Sequence, residues 1–266
     1  MTFEQIYKDI KTLKIQGATN VAKFGLKALK LKFDAPSIKK IQSARPTEPC
    51  LINAIKFAKE TDVDTAFAYL SNMQKRTVLV GAIIIKNKQN VFTHCHSSTI
   101  VDSLKSAKDH KKKFKVYNTE TRPLLQGRKT AKELARAKIK VEHYVDSAAD
   151  EAIKNSDIVL LGADFITKDG DVYNKIGSYS ISELAKKHKK PLYIITNSWK
   201  YSNKSLKIEK RDPKEIWDTN SENIKINNPA FEKIPRQNIS KIVCELGALK
   251  PRKFLRKVHK TYPWIK

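Results

Sequence analysis

The pattern of hydrophobic and polar positions changes near residue 88 of the chain. Before that point, apolar residues recur at three- and four-residue spacing, which is typical of amphipathic helices. The predicted helices cover Phe3–Leu13, Thr19–Phe33, Leu51–Ala58 and Asp62–Ile85. Gly17 and the Arg45-Pro46 turn interrupt the pattern. We therefore expect an N-terminal helical domain over residues 1–88.

After residue 88, short β-rich runs alternate with helical ones. The runs are VFTHC, KFKVYNTE, IKVEHYVD, SDIVLLGAD, PLYIITN and KIVCELG. Helices are predicted between them near Ser98–Lys108, Lys129–Ala137, Ala148–Lys154 and Ser178–Lys187. Strands that alternate with helices of about ten residues indicate βαβ units and a parallel sheet. The predicted fold class is α/β, with the helical domain followed by a Rossmann-like parallel-sheet domain over residues 89–266.

The chain is strongly basic, with 53 lysines and arginines against 27 acids and a net charge of +26. The excess is mostly lysine, spread over the whole sequence, and no RNA-binding signature or zinc finger accompanies it. We interpret it as compositional bias that also attracts anionic substrates. Nucleic-acid binding is not the predicted main function.

Several classes of protein are disfavoured by what the sequence lacks. The start, MTFEQIYKDIKTLKIQG, has no apolar signal-peptide core, and no run approaches the roughly 20 apolar residues of a membrane span. We therefore expect a cytoplasmic protein without a membrane partner. No GxGxxG follows the first predicted strand, and His94, His96 and Asp146 lack the spacing of a metal motif. No cofactor and no metal are predicted.

Cys95 is the first candidate for chemistry because it lies where a strand ends and a helix begins. If Ser97 or Ser98 caps that helix, free backbone N–H groups lie near the thiol and favour a thiolate. The same N–H groups and hydroxyls suit a phosphate. The alternative is a buried strand-end cysteine beside ordinary capping residues. Cys50 and Cys244 are interpreted as small buried hydrophobes.

Asp164 closes the apolar run IVLLGAD, so its carboxylate needs a partner or a ligand. The alternative is a helix cap or an Asx-turn. Further along, Asn174 and Lys175 precede a predicted helix, and together with the helix N-terminus they suit an anion or a sugar. A capped helix start with a solvated lysine explains them equally well. In open α/β sheets, ligands bind at the carboxyl ends of the strands, where a thiol and a carboxylate make a plausible acid–base pair.

Arg45 and Arg122 are each followed by a proline, which stiffens the turn that carries the guanidinium group. Guanidinium groups bind phosphate in a bidentate manner, so two Arg-Pro turns indicate a substrate with more than one phosphate. The alternative for either one is a surface ion pair.

Taken together, these segments resemble one superfamily over most of the chain, from Gly17 to about Pro251. The motifs that carry the resemblance are QGAT, ARPT, THCHSS, TETRPLLQG, VDSAA, GADFITKDGDVYNKIGS, IEKRDP, NPAF and ELG. The superfamily comprises sugar-1-phosphate aldose–ketose isomerases and the regulatory subunits of the translation-initiation exchange factor. Gln16 is a departure, because the family pattern has arginine before Gly17-Ala18.

The resemblance implies a function and a set of residues for it. Cys95 and Asp164 match the cysteine and aspartate that the isomerases require, and the THCHS form is most similar to archaeal ribose-1,5-bisphosphate isomerases. Such enzymes make ribulose 1,5-bisphosphate for Rubisco in nucleotide salvage. A proton leaves carbon 2 and reaches carbon 1 through an enediolate, with Cys95 on the carbon-bound proton and Asp164 on the oxygen-bound protons, or the reverse. The implied substrate-binding residues are Gly17, Ala18, Arg45, His96, Ser97, Ser98, Arg122, Asn174, Lys175 and Lys200.

Two other functions remain open within the superfamily. One is methylthioribose-1-phosphate isomerase, which TRPLLQG and GDVYNKIGSYS also resemble. The other is a non-catalytic regulatory subunit that senses a nucleotide or a sugar phosphate. The resemblance further implies a homo-oligomer, a dimer or a hexamer, and the segment NPAFEKIPRQNISKIVCELG is expected to supply apolar surface for it. Packing of Phe231 and Ile234 inside one subunit is the alternative.

Overall fold

The first part of the chain is helical, as its periodicity predicts. The structure, a computed structural model, describes residues 1–204, 208, 210–219 and 221–265, so Glu209 of the IEKRDP motif lies outside the described residues. The helices are α1 (Phe3–Lys11), α2 (Ala18–Leu31), α3 (Ala35–Ala44), α4 (Pro49–Glu60) and α5 (Val63–Ile84). The β-branched residues 77–84, near the end of α5, are helical as predicted.

Side-chain caps explain where three of these helices begin. The side chains of Thr2, Asp34 and Asp62 each accept a hydrogen bond from the backbone N–H three residues further on. Each bond satisfies an amide that the first turn of a helix leaves without an intrahelical partner.

A seven-stranded sheet forms the centre of the remaining chain. Its strands are β1 (Gln89–Thr93), β2 (Phe114–Thr119), β3 (Lys140–Tyr144), β4 (Ile158–Leu161), β7 (Leu192–Ile195), β9 (Lys241–Cys244) and β10 (Gly247–Leu249). The order across the sheet is β10-β9-β7-β4-β1-β2-β3, and every pair except β9–β10 is parallel. The connecting helices are α6 (Ser98–Asp109), α7 (Gln126–Arg136), α8 (Ala149–Lys154) and α9 (Ser178–Lys187). The predicted α/β fold class is confirmed.

A small second sheet was not predicted. Its strands are β5 (Phe165–Ile166), β6 (Val172–Lys175) and β8 (Phe231–Ile234), paired antiparallel in the order β5-β6-β8. The C-terminal helix α10 (Pro251–Thr261) was not predicted either. In the segment 228–247, Ala230, Ile234 and Ile242 are buried inside the subunit, whereas Phe231 and Leu246 are partly exposed, so its role as an oligomer surface stays a prediction.

Helix α5 joins the two parts of the molecule. It packs against α2 and α4 on the N-terminal side and against α6 and β9 on the sheet side. The largest buried cluster likewise runs from residues of α2 and α4 into the sheet. The chain passes from α5 to β1 at residues 84–89, and a domain boundary near residue 88 stays a prediction. Within the described ranges no helix is long and apolar enough to cross a membrane.

The strand order places a crevice beside β1. The chain winds from β1 to β2 and β3 in one direction and from β1 to β4, β7 and β9 in the other. The β1–β4 border is therefore the point where the winding reverses, and in open α/β sheets ligands bind outside the carboxyl ends of the strands at that point. Cys95 and Asp164 follow these two strands.

Candidate active site

A cavity of about 720 Å³ lies at the carboxyl ends of β1 and β4. That volume is within the range of small-molecule sites. Cys95 and Asp164 both line it, so the structure brings the two predicted catalytic residues to one rim of the sheet. The other predicted residues that line it are Gly17, Ala18, Arg45, His96, Ser97, Ser98, Asn174, Lys175 and Lys200.

Arg122 is the predicted site residue that the structure places elsewhere. It is not part of the cavity lining, and its side chain is exposed. Its guanidinium donates to the carbonyl oxygens of Pro123 at 3.2 Å and Ile216 at 3.0 Å. These contacts direct Arg122 toward the segment around residue 216, so the predicted phosphate role of Arg122 has no support from its position.

Cys95 occupies an unusual backbone conformation. Its φ angle is 66°, in the left-handed region that a side chain with a Cβ seldom adopts. Two hydrogen bonds hold this conformation: the Cys95 N–H donates to Thr121 Oγ1 at 2.8 Å, and its carbonyl accepts from Thr130 Oγ1 at 2.8 Å. Residues held in such conformations are concentrated at functional sites. The contacts fix the direction in which the thiol leaves the end of β1.

His94 directly precedes Cys95 and also lines the cavity. Its Nε2 lies 3.0 Å from the carbonyl oxygen of Ile176, which can only accept, so Nε2 carries the proton. Nδ1 then accepts from Thr119 Oγ1 at 2.6 Å. Burial lowers the pKa of His94, which keeps the ring neutral and this arrangement intact. Gly177 packs against the ring with φ of 97°, and a Cβ there would lie only 3.0 Å from Nε2.

The charge state of the Cys95 thiol follows from its surroundings. Burial raises the pKa of Cys95 from 9.0 to about 11, and the Lys175 ammonium lowers it by a smaller amount. The Asp164 carboxylate also acts to raise the Cys95 pKa. At neutral pH the thiol form therefore predominates, and a base at this position works through a small thiolate fraction.

Asp164 lies between β4 and β5 and is partly exposed to the cavity. Its backbone N–H donates to the Tyr173 carbonyl at 2.8 Å, so it starts the antiparallel pairing of the small sheet rather than capping a helix. Gly162 lets this loop approach α6, because a Cβ at Gly162 would lie 3.3 Å from the Ser97 Cβ. The unpredicted small sheet thus sets the place of the Asp164 carboxylate.

Three helices direct their N-termini at the cavity. Gly17 and Ala18 begin α2, Ser97 and Ser98 begin α6, and Gln126 begins α7. The first amides of a helix and its dipole favour anions. The Ser97 side chain accepts from the Ile100 N–H at 3.4 Å, so it caps α6 as predicted.

Polar and cationic side chains complete the lining. Asn174 Nδ2 donates to Ser178 Oγ at 2.9 Å, and the Lys175 ammonium lies 5.1 Å from the centre of the Phe231 ring. Lys200 is buried, and its Nζ donates to the Ala163 carbonyl at 2.6 Å. Arg45 is buried and ion-paired with Glu48 at 2.9 Å.

His96 binds its neighbours as a neutral ring. Its Nδ1 lies 3.1 Å from Thr130 Oγ1, and burial lowers its pKa to about 4. It therefore offers hydrogen bonds rather than positive charge to a ligand at neutral pH.

Several lining residues were not predicted from the sequence. They are Leu13, Lys14, Ile15, Gln16, Thr19, Asn20, Phe24, Glu48, His94, Thr99, Leu124, Leu125, Gln126, Lys129, Glu133, Gly162, Ala163, Arg211 and Phe231. Most of them flank a predicted site residue or a helix start, and this position in the sequence is the signal by which they could have been predicted. Among the described residues, no group of three or more His, Cys, Asp or Glu side chains could hold a metal ion.

Comparison with known proteins gives the family. The model of the initiation factor 2 subunit family matches residues 11–251. A curated relative from Methanocaldococcus jannaschii, named ribose 1,5-bisphosphate isomerase, is 32% identical over 98% of this chain and 96% of its own. A methylthioribose-1-phosphate isomerase from Thermoanaerobacter sp. is 32% identical over 79% of this chain and 72% of its own.

Among solved structures, translation initiation factor eIF-2B from Pyrococcus horikoshii has a TM-score of 0.83 and 26% identity, covering 95% of this chain and 98% of that one. 5-Methylthioribose 1-phosphate isomerase from the same organism has a TM-score of 0.77 and 23% identity, and the match covers 98% of this chain and 88% of that one. The predicted resemblance is thus confirmed: the chain belongs to the initiation factor 2 subunit family.

Proposed function

We propose that this protein is an aldose–ketose isomerase that converts ribose 1,5-bisphosphate into ribulose 1,5-bisphosphate without a cofactor. The observation that carries the proposal is the meeting of Cys95 and Asp164 in one cavity with three helix N-termini. Four archaeal relatives named ribose 1,5-bisphosphate isomerase, at 30–32% identity, support an isomerase of sugar phosphates. We also propose that the enzyme is cytoplasmic and that its product is used by Rubisco.

The reaction needs two proton deliveries and two proton removals. The ring opens when the bond between carbon 1 and the ring oxygen breaks and that oxygen takes a proton, which we assign to Asp164. Cys95 thiolate removes the proton from carbon 2, and the electron pair forms an enol double bond to carbon 1. The thiol then returns a proton to carbon 1, while Asp164 takes the proton of the carbon 2 hydroxyl and a ketone remains. Asp164 begins and ends protonated, and Cys95 begins and ends as the thiolate.

The cavity matches the charge of a bisphosphate. Helix N-termini bind phosphates through free amides, and Lys175, Lys200 and Arg45 add cations to the same lining. Asn174 and the neutral ring of His96 supply hydrogen bonds for sugar hydroxyls. The apolar side chains of Phe24 and Phe231 limit the access of water to a reactive enol.

Methylthioribose-1-phosphate isomerase is the second candidate. Apolar side chains in the lining, such as Leu13, Ile15 and Leu124, fit contact with a thioether group, and they also exclude water. Gln16, which stands where the family has arginine, also leaves less positive charge for a second phosphate. A regulatory subunit is the third candidate, and it would bind ligands without turnover.

Incubation of the purified protein with ribose 1,5-bisphosphate tests the proposal directly. We expect the ketose to accumulate, as followed by the appearance of a carbonyl carbon in the ¹³C spectrum. The Cys95→Ser variant serves as the matched control for a contaminating isomerase. Binding without turnover by the wild-type protein would favour the regulatory function.

Affinity depends on both phosphates. Ribose 1,5-bisphosphate should bind at least tenfold more tightly than ribose 5-phosphate, because each charge-assisted hydrogen bond to a phosphate contributes about 1.5–3 kcal/mol. Isothermal titration of the Cys95→Ser protein measures both affinities without turnover. Equal affinities would mean that the cavity holds one phosphate only.

The rate should be nearly independent of pH from about 7 to about 10. The active pair is Cys95 thiolate with protonated Asp164. It holds the same number of protons as the resting thiol–carboxylate pair, so its fraction does not change with pH until the Cys95 thiol ionises, at a pKa raised to about 11. The measurement is kcat/KM from pH 7 to 10, with circular dichroism as a control for the fold. A rise of about tenfold per pH unit over this range would mean that Asp164 donates no proton in the step that limits the rate.

We also propose that the protein is a homo-oligomer. A related structure is a tetrameric eIF2B β2–δ2 complex from Chaetomium thermophilum, which shares the fold at a TM-score of 0.76. Light scattering at micromolar concentration should give a mass of at least twice 30.4 kDa. A monomer mass would reject the oligomer.

A further inference from the structure

The turn that carries Lys200 is buried on every side. It is a single 3₁₀ turn, Ser198–Lys200, that follows β7 at the carboxyl edge of the sheet. Ser198 and Trp199 are fully buried, and Lys200 is 8% exposed. Lys200 Nζ donates to the carbonyl of Ala163, the residue before Asp164, at 2.6 Å. The position of this ammonium therefore depends on how the turn is held.

Asn53 of α4 holds the turn from the N-terminal helices. Its Nδ2 donates to the carbonyl oxygens of Trp199 at 2.8 Å and Tyr201 at 2.9 Å. These two carbonyls flank Lys200 in the chain, and an amide nitrogen has two hydrogens, so both are used. Asn53 is only 4% exposed and lies 146 residues from Trp199 in sequence.

Glu245 holds the same turn from the sheet. Its carboxyl accepts from the Ser198 N–H at 3.2 Å and from the Ser198 hydroxyl. The Trp199 ring packs against Phe57 of α4, with ring centres 5.3 Å apart, and against Tyr69 of α5, with ring centres 5.4 Å apart. The turn is fixed at both ends, by side chains from two different parts of the molecule.

We propose that Asn53 is a positioning residue for the active site: its amide fixes the backbone around Lys200, so that the ammonium lies beside the Asp164 loop and faces the substrate. Lys200 has a flexible four-carbon stem, and a carbonyl acceptor alone does not define where its charge lies. The assignment of Lys200 to the substrate rests on the proposed function, whereas the placement of its ammonium does not.

Chemical labelling of lysines tests the placement without any substrate. Reductive methylation with formaldehyde, read at each lysine by mass spectrometry, should modify Lys200 at least tenfold faster in Asn53→Leu than in wild type. Lys112 is the internal reference, because its Nζ also donates to backbone carbonyls, those of Ala82, Ile83 and Ile85, away from the turn. General loosening of the fold would raise both rates, whereas release of the turn raises only that of Lys200.

Asn118→Leu is the matched control variant. Asn118 is also a fully buried amide, and its Nδ2 donates to the Gly127 carbonyl at 2.8 Å. Its replacement should leave Lys200 labelling within twofold of wild type. Asn53→Ala provides a second variant if Asn53→Leu does not fold. An unchanged Lys200 rate in a folded Asn53 variant, or an equal rise in Asn118→Leu, would overturn the proposal.

Kinetics with ribose 1,5-bisphosphate then link the placement to function. We expect Asn53→Leu and Lys200→Met each to reduce kcat/KM at least tenfold, and the double variant to be no more than twofold worse than Lys200→Met. Multiplied effects in the double variant would mean that Asn53 acts independently of Lys200, against the proposal. If the wild-type protein shows no turnover, the proposed function fails, while the labelling result still decides the role of Asn53.

Discussion

Cys95→Ser should reduce kcat for ribose 1,5-bisphosphate by at least about 10³-fold, because general acid–base transfer contributes about 10²–10⁴-fold per step and the thiol takes part in two. A serine hydroxyl keeps the size and polarity of the side chain but does not ionise in the working range of pH. The measurement is the rate of ketose formation at saturating substrate. Substrate affinity should stay within about threefold of wild type, since the phosphates bind to helix N-termini and cations.

Cys244→Ser is the matched control for this substitution. Cys244 is fully buried in β9, does not line the cavity, and its Sγ lies 3.8 Å from the Gly247 carbonyl. This variant should keep kcat within about twofold, although the added polarity lowers its stability. A Cys95→Ser enzyme within tenfold of the wild-type rate would remove Cys95 from the chemistry.

Asp164→Asn should lower kcat by at least about 10²-fold, because an amide retains the shape of the carboxylate but neither accepts nor returns a proton at neutral pH. In this variant kcat/KM should instead rise with pH, because only the thiolate fraction of Cys95 then depends on pH. Kinetics across pH with ribose 1,5-bisphosphate give both quantities.

Asp169→Asn is the control for the change of charge. Asp169 is exposed, lies between β5 and β6, and is not part of the cavity lining. It should leave kcat and KM unchanged within about twofold. Equal losses in the two variants would indicate that the net charge of this region, rather than a proton carried by Asp164, determines the rate.

The order of strands and helices could be predicted because its signals are local. The run from Ile158 to Leu161 is apolar at every position, as a strand covered on both faces requires. Ser97 and Asp62 are side-chain caps that mark the starts of α6 and α5. The same local signals placed Cys95 and Asp164 at strand ends, and the topology of a parallel sheet brings such ends together.

The remaining features depend on contacts between distant segments. Strand β5 has two residues, and β6 pairs with β8 more than 50 residues away, so neither strand has a periodic pattern long enough to detect. The position of Arg122 depends on the Ile216 carbonyl, 94 residues further along the chain. Helix α10 did carry a signal, in Pro251 followed by Phe254 and Val258 on one face, which the dense lysines and arginines around them obscured.

Turnover of ribose 1,5-bisphosphate and of methylthioribose 1-phosphate, measured side by side on the same preparation, tests the central claim most directly. The account predicts that ribose 1,5-bisphosphate is converted to its ketose with at least tenfold higher kcat/KM, because a second phosphate adds charge-assisted hydrogen bonds that a thioether cannot form. Equal or faster conversion of methylthioribose 1-phosphate would contradict it and assign the cavity to that substrate.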